Sequence, residues 1–429
     1  MGSAGPRAVV LADSDSRWKW AASVARRVAP DHALDAYFVR TRTTPTPRQI
    51  AEVGIEPDHS RFIDCHELVD DPRPADADVL IFGVAAGTTL SLLHSLGIAW
   101  RGRRHRPVTV SGYYGVVYEK MVDGLLLRAG CDLVIANSAF DAERFRDIYA
   151  GIGADPDSVV EAGLPFLGGA RYDPSPVGRE RPFTVCFAVQ PTVPAGETAR
   201  SGLLQRLDRH ARRYPDREVL LKLRNQPGEA VTHIERHSYQ ALYDAMPAPA
   251  PNLRLVHGDM GSVLDRTDLL VTVSSTAAME ALHRGIPTAI LSDYGVREAL
   301  GNHYFLQSGC LASWADLDAG TVPTADPGWA ALHGVGRDHT FGAVRERLAA
   351  LRAAGPLPPL RPYYTPERGG SYLEQLLAPR GLGLDGRPAA VRPPAHLRPV
   401  RRMVQRGAGG LYRVGRHRVA PVIRRLAQG

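Results

Sequence analysis

Short apolar runs alternate with amphipathic segments along the first 163 residues of the chain. The apolar runs predict buried strands, because strands covered on both faces appear as continuous stretches of Val, Ile, Leu and Phe. The predicted strands are residues 8–12, 34–39, 78–82, 107–112 and 132–137. Helical periodicity between them predicts helices over 17–29, 115–129 and 138–149. This alternation is typical of a doubly wound parallel sheet.

The alternation stops at residues 163–182 and then starts again. The stretch GLPFLGGARYDPSPVGRERP is rich in Gly and Pro and has little periodicity, which predicts a linker between two domains. After it, the predicted strands are 183–189, 218–223, 252–257, 268–273 and 288–291, and the predicted helices are 202–213, 261–267 and one starting at 276. We therefore expect an α/β chain with two Rossmann-like domains, whose parallel sheets turn their carboxyl ends toward a central cleft.

The expected boundaries follow from these patterns. The first domain is residues 1–165, the linker 166–182, and the second domain 183–379 with its closing helices. Residues 380–429 form a basic, Arg- and Pro-rich tail.

Residues 79–100 contain no Asp, Glu, Lys or Arg and are long enough to cross a bilayer. Glycines, His94 and several hydroxyl residues interrupt the segment, however, and divide it into a strand, a loop and a short helix. We interpret it as buried α/β core. The N-terminus runs directly into a strand pattern without the apolar region of a signal peptide, and the four cysteines lie far apart without a CxxC pair. These features predict a cytoplasmic protein.

Charge is distributed unevenly along a chain of ordinary globular composition, with 44% hydrophobic and 23% charged residues. Residues 380–429 contain twelve Arg and one Asp, a net charge of 12 − 1 = +11; the whole chain carries +7, so residues 1–379 carry 7 − 11 = −4. A mildly acidic body argues against nucleic acid as a partner. Arg mixed with Leu, Val, Ile and Met in the tail suits an anionic membrane surface, and a solubilising tail is the alternative.

The stretch VTVSSTAAMEALHRGIPT, residues 271–288, brings three hydroxyls from a strand onto a helix N-terminus. Helix N-termini carry unpaired N–H groups and partial positive charge, so Ser274, Ser275 and Thr276 suit a phosphate or diphosphate. Glu280 falls one turn further on the same helix face, where its carboxylate could accept hydrogen bonds from two ribose hydroxyls. Alternatively, Ser275 or Thr276 caps the helix and Glu280 is solvated.

This stretch resembles the donor-binding region of GT-B type glycosyltransferases. VQP at 189–191 and EVLLKLRNQP at 218–227 resemble other donor-side loops of that superfamily. VVLADSDSRWKWA, GYYG (112–115), ANSAFD (136–141) and GLP (163–165) are similar to a family assigned to the glycosyltransferases without an established substrate. The resemblance covers about residues 7–310 and implies a nucleotide-sugar donor on the second domain and an acceptor on the first.

Transferred to this chain, the resemblance implies specific donor contacts. Ser274, Ser275 and Thr276 would hold the donor phosphates, and Glu280 the ribose. Further donor-side contacts would come from Gln190, Lys222, Arg224 and His257. Lys222 and Arg224 would add positive charge at the leaving group, and His257 would contact the base, unless it only ends its strand. Some relatives have His-Pro where this chain has Asn225-Gln226-Pro227, which leaves the nucleotide open.

Asp13 and Asp15 directly follow the first predicted strand and are therefore expected at the cleft. An acceptor hydroxyl must lose its proton as it attacks the anomeric carbon, and a carboxylate can accept that proton. Asp13 is the first candidate for this base and Asp15 the second. The alternative is that Asp13, Ser14 or Asp15 only caps the helix beginning near Arg17.

Other functions fit parts of the same sequence. Asp-Ser-Asp after a strand also resembles haloacid dehalogenase-like phosphatases, which need Mg²⁺, although Asp259 and Asp265 lack the spacing of the later acidic pair. A sugar-nucleotide epimerase on the same fold and a non-catalytic nucleotide-sugar-binding relative are further alternatives. Our prediction is a metal-independent glycosyltransferase of polysaccharide biosynthesis with no cofactor besides its nucleotide-sugar co-substrate, acting on a glycan or lipid-linked acceptor, cytoplasmic or held on the cytoplasmic face of a membrane.

Overall fold

The computed structural model describes residues 5–116, 121–191, 193–224, 237–336 and 341–389. Seven strands form the first sheet: β1 (Arg7–Ala12), β2 (Ala33–Val39), β3 (His59–Ile63), β4 (Val79–Gly83), β5 (Val108–Gly112), β6 (Leu133–Ala136) and β7 (Val159–Glu161). Their order is β3-β2-β1-β4-β5-β6-β7, and every neighbouring pair is parallel. The helices between them are α1 (Asp15–Val28), α2 (Pro47–Glu52), α3 (Cys65–Asp70), α4 (Ala86–Ala99), α5 (Met121–Leu126) and α6 (Ala139–Ile152).

Six strands form the second sheet: β8 (Thr184–Ala188), β9 (Glu218–Lys222), β10 (Leu253–Val256), β11 (Leu269–Thr272), β12 (Thr288–Leu291) and β13 (Leu311–Ala312). Their order is β10-β9-β8-β11-β12-β13, again parallel throughout. The accompanying helices are α7 (Glu197–Arg213), α8 (Tyr239–Asp244), α9 (Met260–Leu264), α10 (Ala277–Arg284), α11 (Trp314–Asp318) and α12 (Pro327–Leu332). Two doubly wound parallel sheets confirm the predicted fold class.

The central strands are the ones that the apolar runs predicted, because helices cover both faces of each sheet. Three strands were not predicted. Strand β3, HSRFI, contains no apolar run because only Ile63 of its five residues faces the core. Strands β7 and β13 are too short to form a recognisable run, with three and two residues. Of the helix expected over 115–129, the structure has α5 at Met121–Leu126, and residues 117–120 lie outside the described part.

Residues 79–100 form β4, a loop and α4, and most of these residues are buried. This is the predicted division into strand, loop and helix. Within the described residues no helix is both long and apolar enough to span a membrane.

The end of the described chain returns to the first domain, contrary to the boundary expected at residue 379. Helices α13 (Gly342–Ala353) and α14 (Pro366–Leu377) place their apolar residues in the two cores of the first sheet. Val344 and Leu348 join one of these cores, and Leu373 and Leu377 join the other. Helical periodicity in the sequence marks an apolar face, but it does not say which sheet that face covers.

The expected start of the tail also differs from the structure. Arg380 donates from Nε to the Thr88 hydroxyl at 3.0 Å, and Leu382 is buried in the first domain. Residues 380–389 are therefore part of the folded first domain. The rest of the predicted tail, residues 390–429, lies outside the described residues.

Candidate functional site

A cavity of about 450 Å³ lies between the two domains, and residues that follow β1, β5, β8, β9, β10 and β11 line it. The carboxyl ends of both sheets therefore face the same space, as expected for this topology. Most of the predicted site residues line the cavity: Asp15, Gln190, Lys222, Arg224, Ser274, Ser275, Thr276 and Glu280. Asp13 and His257 are not among its lining residues.

Ser274 joins two strand ends rather than offering its hydroxyl to the cavity. Its N–H donates to Gln190 Oε1 at 2.8 Å, and Gln190 Nε2 donates to its Oγ at 2.9 Å. The Ser274 hydroxyl then donates to the carbonyl of Leu300 at 2.5 Å. Since Ser274 is only 4% exposed, this reciprocal pair fixes the loop after β8 against the loop after β11.

The next two hydroxyls stand at the N-terminus of α10. Ser275 Oγ accepts from the N–H of Ala277 at 3.2 Å, so Ser275 has the capping role that the sequence left as an alternative. Thr276 makes no side-chain capping bond. A Cβ added to Gly115 of the first domain would lie 2.7 Å from Thr276 Oγ1, so a glycine is what allows the two domains to approach here.

Glu280 is buried in the cleft, not solvated. It is 9% exposed, and its carboxylate lies 3.6 Å from Nζ of Lys19 on α1 of the first domain. Burial raises the pKa of Glu280 above its usual range, and the neighbouring Lys19 ammonium acts in the opposite direction. A carboxylate in this position needs a donor or a cation close by.

Lys222 and Arg224 bring two cations from the end of β9. Lys222 is 7% exposed, donates from Nζ to the Leu223 carbonyl at 2.6 Å, and has no carboxylate partner within the described residues. Burial lowers the pKa of Lys222, because the uncharged amine needs less solvation. Arg224 reaches across the cleft to Asp15, with Nη2 3.2 Å from Oδ1, and also donates to the Ser16 hydroxyl.

The two candidate bases occupy different environments. Asp13 is 2% exposed, and both of its carboxylate oxygens are in use. Oδ1 accepts from Arg17 at 2.6 Å and Oδ2 accepts from the Ala85 N–H at 2.9 Å. Asp15 lies in the first turn of α1 and lines the cavity. Of the two carboxylates, the structure therefore brings Asp15 to the cleft.

His257 follows β10 and is partly buried, and its Nδ1 has no hydrogen-bond partner among the described residues. Its neighbour Gly258, with φ of 94°, is the residue that lines the cavity. The predicted contact between His257 and a base stays a prediction.

Within the described part of the chain, one cluster of three side chains could hold a metal ion: Asp64, His66 and Glu67. Glu67 already accepts from the Asp64 N–H at 2.9 Å, and Arg40 lies 3.2 Å from Glu67. Neither aspartate of the Asp-Ser-Asp stretch belongs to this group.

Sequence reasoning missed Lys19 as a site residue. Its Nζ lies 4.7 Å from the centre of the Phe166 ring as well as beside Glu280. The sequence did contain a signal, because Lys19 is a single charged residue between two tryptophans. Trp18 and Trp20 are fully buried in the structure, whereas Lys19 lies at the cleft beside Glu280.

The chain belongs to the family described as "Putative glycosyltransferase (DUF6716)", which matches residues 8–351. No curated protein matches it. Among solved structures it is similar to a UDP-GlcNAc 2-epimerase from Neisseria meningitidis bound to UDP-GlcNAc, with 9% identity, a TM-score of 0.50, and coverage of 81% of this chain and 99% of that one.

A Listeria monocytogenes protein assigned by similarity as a UDP-N-acetylglucosamine 2-epimerase has 11% identity and a TM-score of 0.50, with coverage of 82% of this chain and 96% of that one. A UDP-glucosyltransferase from Polygonum tinctorium has 13% identity and a TM-score of 0.44, with coverage of 82% and 95%. At such identities the likeness shows the fold alone. The fold is of GT-B type, as predicted, and membership of the family supports glycosyl transfer as the general class of reaction.

The two reciprocal hydrogen bonds between Gln190 and Ser274 can be tested by their effect on the stability of the protein. Gln190→Ala removes both reciprocal hydrogen bonds and leaves the buried Ser274 N–H without a partner, so we expect it to lower the free energy of unfolding by about 1–3 kcal/mol in urea titrations. Gln205→Ala, at an exposed position of α7, is the matched control and should change it by less than about 0.5 kcal/mol. If the two substitutions lowered the free energy of unfolding equally, the stabilising role of the Gln190–Ser274 hydrogen bonds would be contradicted.

Proposed function

We propose that this protein is a metal-independent glycosyltransferase. It would move a sugar from a nucleotide-sugar donor held by the second domain to a hydroxyl of a glycan or lipid-linked acceptor held by the first. The observation that carries the proposal is the convergence of Lys222, Arg224, Thr276 and Glu280 around one cavity at the edge of the second sheet. A volume of about 450 Å³ lies within the range of about 300–1,000 Å³ that is usual for small-ligand sites.

In this proposal the donor diphosphate lies at the N-terminus of α10. The helix dipole and the N–H groups of its first turn favour an anion there. The Thr276 hydroxyl, which makes no capping bond, is available to the same phosphates. Ser275 supports the site by capping α10, and Ser274 with Gln190 supports it by fixing the loop that carries them.

Charge and burial assign the remaining donor contacts. Lys222 is buried without a carboxylate partner in the described part of the chain, so a diphosphate would supply the counter-charge that it lacks. Arg224 would leave Asp15 for the leaving group. Glu280 would accept hydrogen bonds from the ribose hydroxyls, which would replace Lys19 as its partner.

Asp15 is the proposed general base. The acceptor hydroxyl would transfer its proton to the Asp15 carboxylate as its oxygen bonds to the anomeric carbon. The bond from that carbon to the diphosphate breaks, and the nucleoside diphosphate leaves against Lys222 and Arg224. Asp13 would act indirectly, because its carboxylate holds Arg17 and the N-terminus of α4.

Donor binding gives the first test of this assignment. UDP, GDP, CDP, dTDP and CMP are screened by melting temperature, because a ligand of the native state raises it, and the best one is titrated. The double variant Ser275→Ala/Thr276→Ala should weaken its binding by about 1–3 kcal/mol.

Glu280→Ala should lower the affinity for the nucleotide and for its nucleoside to the same extent, because the proposed contact of the carboxylate is with the ribose alone. Thr321→Ala and Glu374→Ala, at exposed positions, are matched controls and should bind normally. Unchanged affinity in the site variants, with folding intact, would refute the donor assignment.

Turnover gives the second test. With the donor and an acceptor present, Asp15→Asn should bind the donor normally but slow transfer by about 10²–10⁴-fold, the usual contribution of a positioned general base. Activity should survive EDTA, because Lys222, Arg224 and the helix N-terminus can offset the diphosphate charge.

Four results would contradict this account in different ways. If Asp15→Asn keeps full turnover and Asp13→Asn loses it, Asp13 is the general base and Asp15 is not. An isomerised sugar without transfer would indicate an epimerase, and binding without any turnover would indicate a non-catalytic relative. Loss of activity in EDTA with rescue by Mg²⁺ would return attention to the metal-dependent alternatives, including phosphate release.

We further propose that residues 390–429 hold the enzyme at an anionic membrane, near a lipid-linked acceptor. The support is their sequence, in which Arg recurs among Leu, Val, Ile and Met, and each basic residue near such a surface contributes about 1 kcal/mol. The full chain should pellet with anionic liposomes at low salt and dissociate as salt screens the attraction. A variant ending at Ala389 should stay in solution. If neither the full chain nor this variant pellets with the liposomes, residues 390–429 do not bind an anionic membrane.

A further inference from the structure

Two ion pairs of opposite polarity span the cleft. Lys19 of the first domain lies 3.6 Å from Glu280 of the second, while Arg224 of the second lies 3.2 Å from Asp15 of the first. Each domain thus contributes one cation and one carboxylate. The groups that a nucleotide-sugar would need are therefore bound to each other across the cleft.

The Lys19–Glu280 pair is the more enclosed of the two. The side chain of Glu280 is 12% exposed and that of Asp15 is 25% exposed. The other charged groups around Glu280 do not replace Lys19: Asp259 has the same sign, and the nearby Arg284 is bonded to Asp265 at 2.6 Å. Among the described residues, Lys19 is therefore the cation that pairs with this buried carboxylate.

A bound ribose would change this balance. Hydroxyl groups that donate to Glu280 take the place that the Lys19 ammonium now occupies. The N-terminus of α10 lies one helical turn away, about 6 Å at 1.5 Å per residue, which is within the reach of a lysine side chain. A diphosphate there would offer the displaced ammonium a new anion.

We propose that Lys19 is a donor-binding residue supplied by the first domain, which exchanges Glu280 for the donor diphosphate when the ribose binds. This inference rests on the proposed function. The exchange makes the site selective for phosphorylated ligands, because a nucleoside displaces Lys19 without offering it a new partner. The exchange would also keep Lys19 of the first domain attracted to a group held by the second domain when the ligand is bound.

The test compares a nucleoside diphosphate with its nucleoside on the full chain, using UDP with uridine, GDP with guanosine, CDP with cytidine and dTDP with thymidine in calorimetric titrations. Lys19→Met keeps the apolar stem above Phe166 but removes the charge. We expect about a tenfold loss of affinity for the diphosphate, and equal or higher affinity for the nucleoside, which no longer has to displace the ammonium. Lys19→Arg should retain most of the preference for the diphosphate.

Arg209→Met, at an exposed position of α7, is the control and should bind both ligands like the native chain. An equal loss for nucleoside and diphosphate in Lys19→Met would mean that Lys19 only supports the fold of the cleft, and no loss for either would mean that it does not touch the donor. Both results overturn the inference and leave the proposed function standing. If the native chain binds neither these four pairs nor CMP, the proposed function fails and the inference fails with it. Binding of CMP alone overturns only the inference, which needs a diphosphate.

Discussion

Parallel strands end at the same edge of a sheet, and both sheets of this protein turn that edge toward the other domain. Polar residues that are far apart in the sequence therefore meet in one cavity: Asp15 after β1, Lys222 at the end of β9, and Thr276 with Glu280 after β11. The chain passes between the two sheets twice, after β7 and again before α13, because α13 and α14 pack on the first sheet. The rest of the site depends on this convergence, because none of these loops forms a pocket alone.

Burial then determines how the converging charges behave. Removing a carboxylate or an ammonium from water is costly, so each is stable only beside a partner. Glu280 has Lys19, and Asp15 has Arg224. Lys222 has only a backbone carbonyl within the described residues. We propose that a cleft arranged in this way binds an anionic ligand with hydroxyl groups, since the anion would satisfy Lys222 and the hydroxyl groups would give Glu280 new hydrogen-bond donors.

The sequence predicted the parts of this structure that depend on local pattern. Apolar runs located the central strands, and Ser-Ser-Thr marked the N-terminus of α10 correctly. What it could not separate were residues of the same type with different neighbours. Ser274 and Thr276 look alike in the sequence, but Ser274 bonds to Gln190 and Leu300. Asp13 and Asp15 are two residues apart, yet only Asp15 lines the cavity. Lys19 was missed because its partner Glu280 is distant along the chain, and the edge strand β3 was missed because most of it is exposed.

The central claim is that the cleft between the domains binds a nucleoside diphosphate against α10. The most direct measurement is a crystal structure of the full chain with the nucleoside diphosphate that raises its melting temperature most. The account predicts phosphate oxygens within hydrogen-bonding distance of the N-terminal N–H groups of α10 and of Lys222, with the ribose hydroxyls on Glu280. A nucleotide bound outside the cleft, or bound there with its ribose away from Glu280 and its phosphates away from α10, would contradict it.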